Sequence, residues 1–214
     1  MKPGCTLAAL ALVIATAVVT SHAVSQEDPI QPPSEAEMMK RWAETMKVGT
    51  PHKWLAKLAG NWTTETTFWM GGPGSEPMKM NGTAEYGMIL GGRFLETKTE
   101  GNFGGQPWSA VGLIGYDNFE KRFVSTWADS GGTGIAMLHG HGNRDGKTIR
   151  LYGAMNEPTM DMVGKYARFD WTLVDEDTLT ITGYDLGLGE KAKVMEVVCK
   201  RVKASREVED GEMK

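Results

Sequence analysis

Apolar residues recur along this chain at three spacings, and each spacing predicts a different element. From Leu7 to Val19 the run is apolar or small throughout. Met38, Met39, Trp42 and Met46 then recur at i, i+4, i+8, the period of one helix face. Ser34-Glu35-Ala36-Glu37 has capping-box spacing, so a helix is expected there with Ser34 as N-cap and Glu37 reaching back. Gly49-Thr50-Pro51 stops it, and a second short helix is expected from His52, with Leu55 and Leu58 on one face. Beyond Gly60 the period falls to two, most clearly in Thr178-Leu179-Thr180-Ile181-Thr182. Strands are predicted over 61–70, 79–90, 93–101, 108–116, 121–129, 134–142, 147–155, 165–174, 178–184 and 191–203, with Gly-, Asn- and Asp-rich turns between them. About ten strands joined by short turns fit an all-β, antiparallel up-and-down barrel better than a sandwich, because sequential hairpins close without long crossovers. Closure also removes the edge strands that invite aggregation. Gly60-Asn61-Trp62, at the hand-over from helix to strand, suggests a barrel end plugged by Trp62.

The first apolar run changes the compartment. Lys2 is the only charge before Glu27, and Ser21-His22-Ala23 supplies small residues at −3 and −1 of a cleavage site. The run is shorter than the ~20 residues of a bilayer span. A Sec-type signal peptide over 1–23, cleaved near Ala23, is therefore expected, with a periplasmic or secreted product and no stable membrane insertion after cleavage. The remaining organisation is an extended arm over 24–33, an amphipathic helix over 34–50, a barrel domain over 51–203 and a charged tail over 204–214. Removing the leader takes one lysine from a chain of formal net charge −4, leaving about −5. No Lys/Arg block is present, so nucleic acid is not an expected partner. Cys5 leaves with the leader, so Cys199 is alone and no intrachain disulfide is expected.

Five blocks carry a family resemblance. His52-x-x-Leu55-x-x-Leu58-x-Gly60-x-Trp62 resembles the opening of the bacterial family DUF1579. The runs Met88 to Leu95, Gly115 to Asn118, Thr126 to Asp129 with Gly132-Thr133-Gly134, and Lys193 to Glu196 are similar to later blocks of that family, in the same order. The resemblance covers about residues 38 to 203. It implies a calycin-like barrel, as in lipocalins, fatty-acid-binding proteins and haem-binding nitrobindins, and no established activity. It also implies a structural pair at the closed end, in which Arg201 or Lys200, late in the last strand, packs over Trp62. That pairing makes Trp62 architecture and sends the search for function to the opposite end.

Small barrels either fill their interior or hold one small ligand. Parity from Trp62 puts Thr64, Thr66 and Phe68 on the same face, and Trp127, if inward, brings Phe123, Ser125 and Asp129 with it. Those residues make a candidate lining for a small apolar or amphipathic molecule. His139 and His141 share a face with Ile135 and Met137 and are further candidates for the lining. They are also candidate ligands to a metal or haem, with Asp129 or Glu196 adding a carboxylate. Two imidazoles on one strand are an incomplete site, and Gly140 and Gly142 suggest a bend there. No cofactor is expected on the main reading; a metal- or haem-dependent enzyme using His139 and His141 is one alternative. The Met/Trp stripe is expected to pack on the outside of the barrel or across one end; docking of a partner through that helix or the barrel surface is another alternative. Asp129 reads as an Asx-type cap on the following turn or a polar anchor at the cavity mouth. Arg93 reads as a paired hairpin-flanking arginine or a carboxylate binder.

Enzyme signatures are missing. The chain has no Gly-x-Ser-x-Gly elbow, no His-Glu-x-x-His, no Gly-x-x-x-x-Gly-Lys-Ser/Thr and no Gly-x-Gly-x-x-Gly. Cys199, beside Val197 and Val198, reads as a buried structural thiol. A small-molecule binder is the expectation that the remaining features favour.

Overall fold

The computed structural model describes residues 32–203. The leader over 1–23, most of the arm over 24–33 and the tail over 204–214 lie outside the described residues. Two helices come first, α1 (Glu35–Thr45) and α2 (Thr50–Ala56). Ten antiparallel strands follow: β1 (Gly60–Phe68), β2 (Met78–Ile89), β3 (Phe94–Phe103), β4 (Gln106–Asp117), β5 (Arg122–Asp129), β6 (Ala136–Gly142), β7 (Thr148–Glu157), β8 (Met162–Asp175), β9 (Thr178–Asp185) and β10 (Lys193–Arg201). A single 3-10 turn, Pro158–Met160, separates β7 from β8. Each strand pairs with its neighbours in sequence, and β1 pairs with β10 to close the barrel. The all-β up-and-down fold read from the period-two segments is the fold observed.

Alternation fixes which side chains enter the barrel. In β1, Trp62, Thr64 and Thr66 are buried while Asn61, Thr63 and Glu65 are exposed. Across the register Thr64 faces Cys199 and Gly82, and Trp62 faces Arg201 and Ala84. The interior divides into two halves. Leu55, Leu58, Trp62, Leu95, Ile114, Ile149, Leu151 and Leu179 have almost no accessible surface and pack the half beneath α2. Burying each such side chain stabilises the fold by about 1.5–3 kcal/mol, so this half carries the barrel.

The closed end is held by the pairing that the family resemblance implied. The Arg201 guanidinium lies 4.1 Å from the Trp62 ring centroid and donates to the carbonyls of Ala59 at 2.6 Å and Lys57 at 2.8 Å. It thereby satisfies carbonyls at the end of α2 that no helical N–H reaches. The Trp62 indole N–H donates to the Leu58 carbonyl at 3.0 Å. Gly60 has a φ of +134°, and a Cβ there would press on the Arg201 Nη1, so this position needs glycine twice over. His52 holds the start of α2: its Nδ1 accepts from the Gly49 N–H at 3.1 Å.

Two local expectations fail. Ser34 does cap α1, accepting from the Glu37 N–H at 3.3 Å, but the Glu37 carboxylate pairs with Arg41 at 2.9 Å. The Met38, Met39, Trp42 and Met46 stripe does not pack on the barrel; no residue of α1 is buried. The segment after α1 is tied down by side-chain donors: Arg93 donates to the Met46 carbonyl and Asn118 to those of Thr45 and Lys47. Arg93 is therefore engaged at the closed end, away from the cavity described next.

Candidate functional site

The half of the barrel away from α2 encloses a cavity of about 390 Å³. Its floor is aromatic. Tyr86 and Trp171 sit 6.2 Å apart between ring centroids, and Trp62 lies beneath, 6.4 Å from Tyr86. Cys199 neighbours the Tyr86 hydroxyl, and burial pushes its thiol up to about 12. Burial likewise raises Tyr86 well above the usual phenol range. Tyr86 is thus a neutral part of the wall, and Cys199 is a neutral group packed in the core behind it. Cys199 is inert as a nucleophile for the same reason.

Above the floor the wall mixes hydroxyl and apolar groups. Thr64 and Thr66 from β1 and Ser125 from β5 are buried and line it, together with Leu138, Ile181 and Val197. The mouth is framed by two aromatic pairs. Phe68 meets Phe103 edge to face at 5.9 Å, and Trp108 lies 6.1 Å from Trp127 with a tilt of 32°. Asp129 sits beside them at the end of β5. Its Oδ2 accepts from the Trp127 indole N–H at 3.1 Å, and its Oδ1 accepts from the Gly131 N–H at 2.8 Å. Asp129 is therefore both an Asx-type turn cap and a lining group; the two readings are compatible because they use different oxygens.

Of the candidate residues, Thr64, Thr66, Phe68, Ser125, Trp127 and Asp129 line this cavity, whereas Phe123 packs in the core against Tyr116, 5.0 Å between ring centroids. His139 and His141 do not line it either; both are exposed on the outer face of β6. The register explains the correction. Inward-facing Ser125 and Trp127 stand opposite Leu138 and Ala136, which places His139 opposite Val124 on the other side of the sheet. Ile135 and Met137 share that outer face and are exposed with them. Among the described residues no group of three or more His, Cys, Asp or Glu side chains is gathered where it could hold a metal ion. The bend expected at Gly140 is absent: β6 and β7 stay in register, and the glycine is needed because a Cβ would run into the Arg150 carbonyl.

Several lining residues went unread in the sequence. Trp108 and Phe103 reach the mouth from β4 and β3, and Phe169 and Trp171 come from β8. The Phe169-Asp170-Trp171 alternation was a usable signal for the last pair. Trp108 offered none, because only the pairing of β4 with β5 brings it against Trp127. No helix among the described residues is long and apolar enough to cross a membrane.

Comparisons with known proteins bear on the fold and the family. A mycobacterial protein, Rv2717c from M. tuberculosis, superposes with a TM-score of 0.52 at 16% identity, over 73% of this chain and 100% of that one. An S-type phycobiliprotein lyase, CPES from Guillardia theta, gives a TM-score of 0.46 at 11% identity, over 80% and 99% of the two chains. No curated protein sequence matches the chain. The model of the family described as "Protein of unknown function (DUF1579)" matches residues 47–201, which span α2 and the ten strands. The chain therefore belongs to the DUF1579 family.

Proposed function

We propose that this protein is an exported carrier or sensor that binds one small apolar or amphipathic molecule inside the barrel. The observation behind this reading is the half-filled interior. Natural cores are packed with few voids larger than a water molecule, yet about 390 Å³ is left open above Tyr86 and Trp171. That volume falls in the range of ~300–1,000 Å³ occupied by small-molecule sites, and its apolar and aromatic wall with sparse hydroxyls matches their chemistry. The candidate leader over 1–23 supports export, and amino-terminal sequencing of the mature protein should begin at Val24.

The test is titration with a neutral, environment-sensitive probe such as N-phenylnaphthylamine. Wild-type protein should bind it with a fluorescence rise saturating at one probe per chain. Ala136→Trp, which pushes an indole into the lining, should weaken binding by about tenfold or more, since an overfilled pocket excludes its ligand. A folded wild type that leaves the probe dark would refute the reading.

A second reading has its own observation. The Met38, Met39, Trp42 and Met46 face of α1 is exposed, and methionine-rich faces adapt to varied partners. Light scattering of the full chain and of a Met39→Ser/Trp42→Ser variant tests self-association through it; equal masses would count against that form.

A further inference from the structure

The charge pattern around the cavity narrows the ligand class, on the reading that the cavity is a binding site. Among the described residues, Asp129 is the only acidic group in the lining, and no Lys, Arg or His lines it. None of the ion pairs among the described residues includes Asp129. A carboxylate has about four lone-pair positions. The Trp127 indole and the Gly131 N–H take one on each oxygen, which leaves acceptor capacity beside the mouth.

Basic groups of the strands near the mouth are engaged elsewhere. Lys165 pairs with Asp185 at 2.9 Å. Arg168 lies 3.8 Å over the Tyr184 ring and pairs with Glu190 at 3.1 Å. Lys193 pairs with Glu196 at 3.1 Å and lies 4.8 Å from the Trp69 ring centroid. Lys191, exposed on the β9–β10 connection, is outside the lining. An anionic head group entering the cavity would thus meet Asp129 with no lining cation to offset it. A cationic head would meet a carboxylate with spare lone pairs and the neighbouring rings of Trp108 and Trp127, whose faces attract cations within about 6 Å.

We infer that the cavity selects cationic amphiphiles: an apolar body fills the space above Tyr86 and Trp171, and a protonated amine at the mouth donates to Asp129. The selection is electrostatic. The indole and backbone donors orient the carboxylate before the ligand arrives, so little reorganisation opposes pairing.

Three probes of equal chain length separate this from general apolar binding: decylamine, decanol and decanoate, titrated calorimetrically below their aggregation concentrations. Decylamine should bind about tenfold or more tightly than decanoate, the discrimination that one nearby carboxylate gives at a partly solvated mouth. In Asp129→Asn the ratio should fall to near one. Asp129→Ser, whose hydroxyl can still cap the Gly131 N–H, should do the same and guards against an asparagine variant that misfolds. Glu65→Gln removes the same charge from the outer face of β1, where Glu65 pairs with Lys79, and should leave the ratio at the wild-type value. Equal binding of all three probes, or tighter binding of decanoate, overturns the inference while leaving the cavity reading intact. A preference that persists without Asp129 also overturns it. If no probe binds, the cavity reading fails and takes this inference with it.

Discussion

Replacing Arg201 by alanine should open the closed end of the barrel, at a cost set by the bonds its guanidinium makes. That group donates to three carbonyls, Ala59 at 2.6 Å, Lys57 at 2.8 Å and Glu176 at 2.8 Å. Hydrogen bonds from a charged donor contribute about 1.5–3 kcal/mol. Lys57 and Glu176 are exposed, so water can replace their bonds and each is assigned about 0.5 kcal/mol. The half-buried bond to Ala59 is assigned about 2 kcal/mol. Stacking over Trp62 adds about 1 kcal/mol. Arg201→Ala is thus expected to destabilise the barrel by about 4 kcal/mol. With a urea m-value of about 2 kcal/mol/M, the unfolding midpoint should fall by about 2 M. Arg201→Lys should recover less than half of the loss, because a compact ammonium cannot serve three divergent carbonyls and a ring face together. A double-mutant cycle with Trp62→Phe should return a coupling of about 0.5–2 kcal/mol. An alanine variant within about 0.5 kcal/mol of wild type, as for an ordinary surface site, would refute the reasoning. So would a lysine variant as stable as the parent.

Three further outcomes are expected. Cys199 keeps its proton in the native state to about 12, whereas the unfolded thiol releases it near 8.5; stability from this group is intact below about 8.5 and declines as pH rises toward about 12, and Cys199→Ala should flatten that limb in urea titrations. His52 is held below its usual value first by burial, against the raising effect of its hydrogen bond to the Tyr116 backbone; stability should therefore fall as pH drops below about 6.5, and His52→Gln should remove that slope in melts at stepped pH. Gly140→Ala should cost about 1–3 kcal/mol as the added methyl forces β6 from β7, read as a lowered urea midpoint.

The fold was legible because Gly-, Asn- and Asp-rich turns mark off ten strand-length segments, and alternation is plain in some of them, as in Thr178 to Thr182. The β1 side of the cavity was legible from alternation: once Trp62 is inward, Thr64, Thr66 and Phe68 follow. The β6 side misled. Its outer face carries Ile135, Met137, His139 and His141, while its inner face carries the smaller Ala136 and Gly140 around Leu138. A rule that sends larger apolar groups inward picks the wrong face there, and only pairing with β5 corrects it. Trp108 was out of reach for a related reason, since register between strands is a property of the closed sheet.

The seam between β1 and β10 sets a constraint on the order of folding. Arg201 and Ala59 are 142 residues apart in the chain, and a loop of that length carries a length-dependent closure entropy of about 4 kcal/mol. The hairpins β2 to β9 can zip locally, each joining strands adjacent in sequence. The seam must wait until both ends of the barrel have formed. A chain arrested or clipped before β10 would expose β1 and β9 as two unpaired edges, ready templates for intermolecular pairing. The last strand is consequently the step at which an aggregation-prone sheet becomes an edgeless barrel.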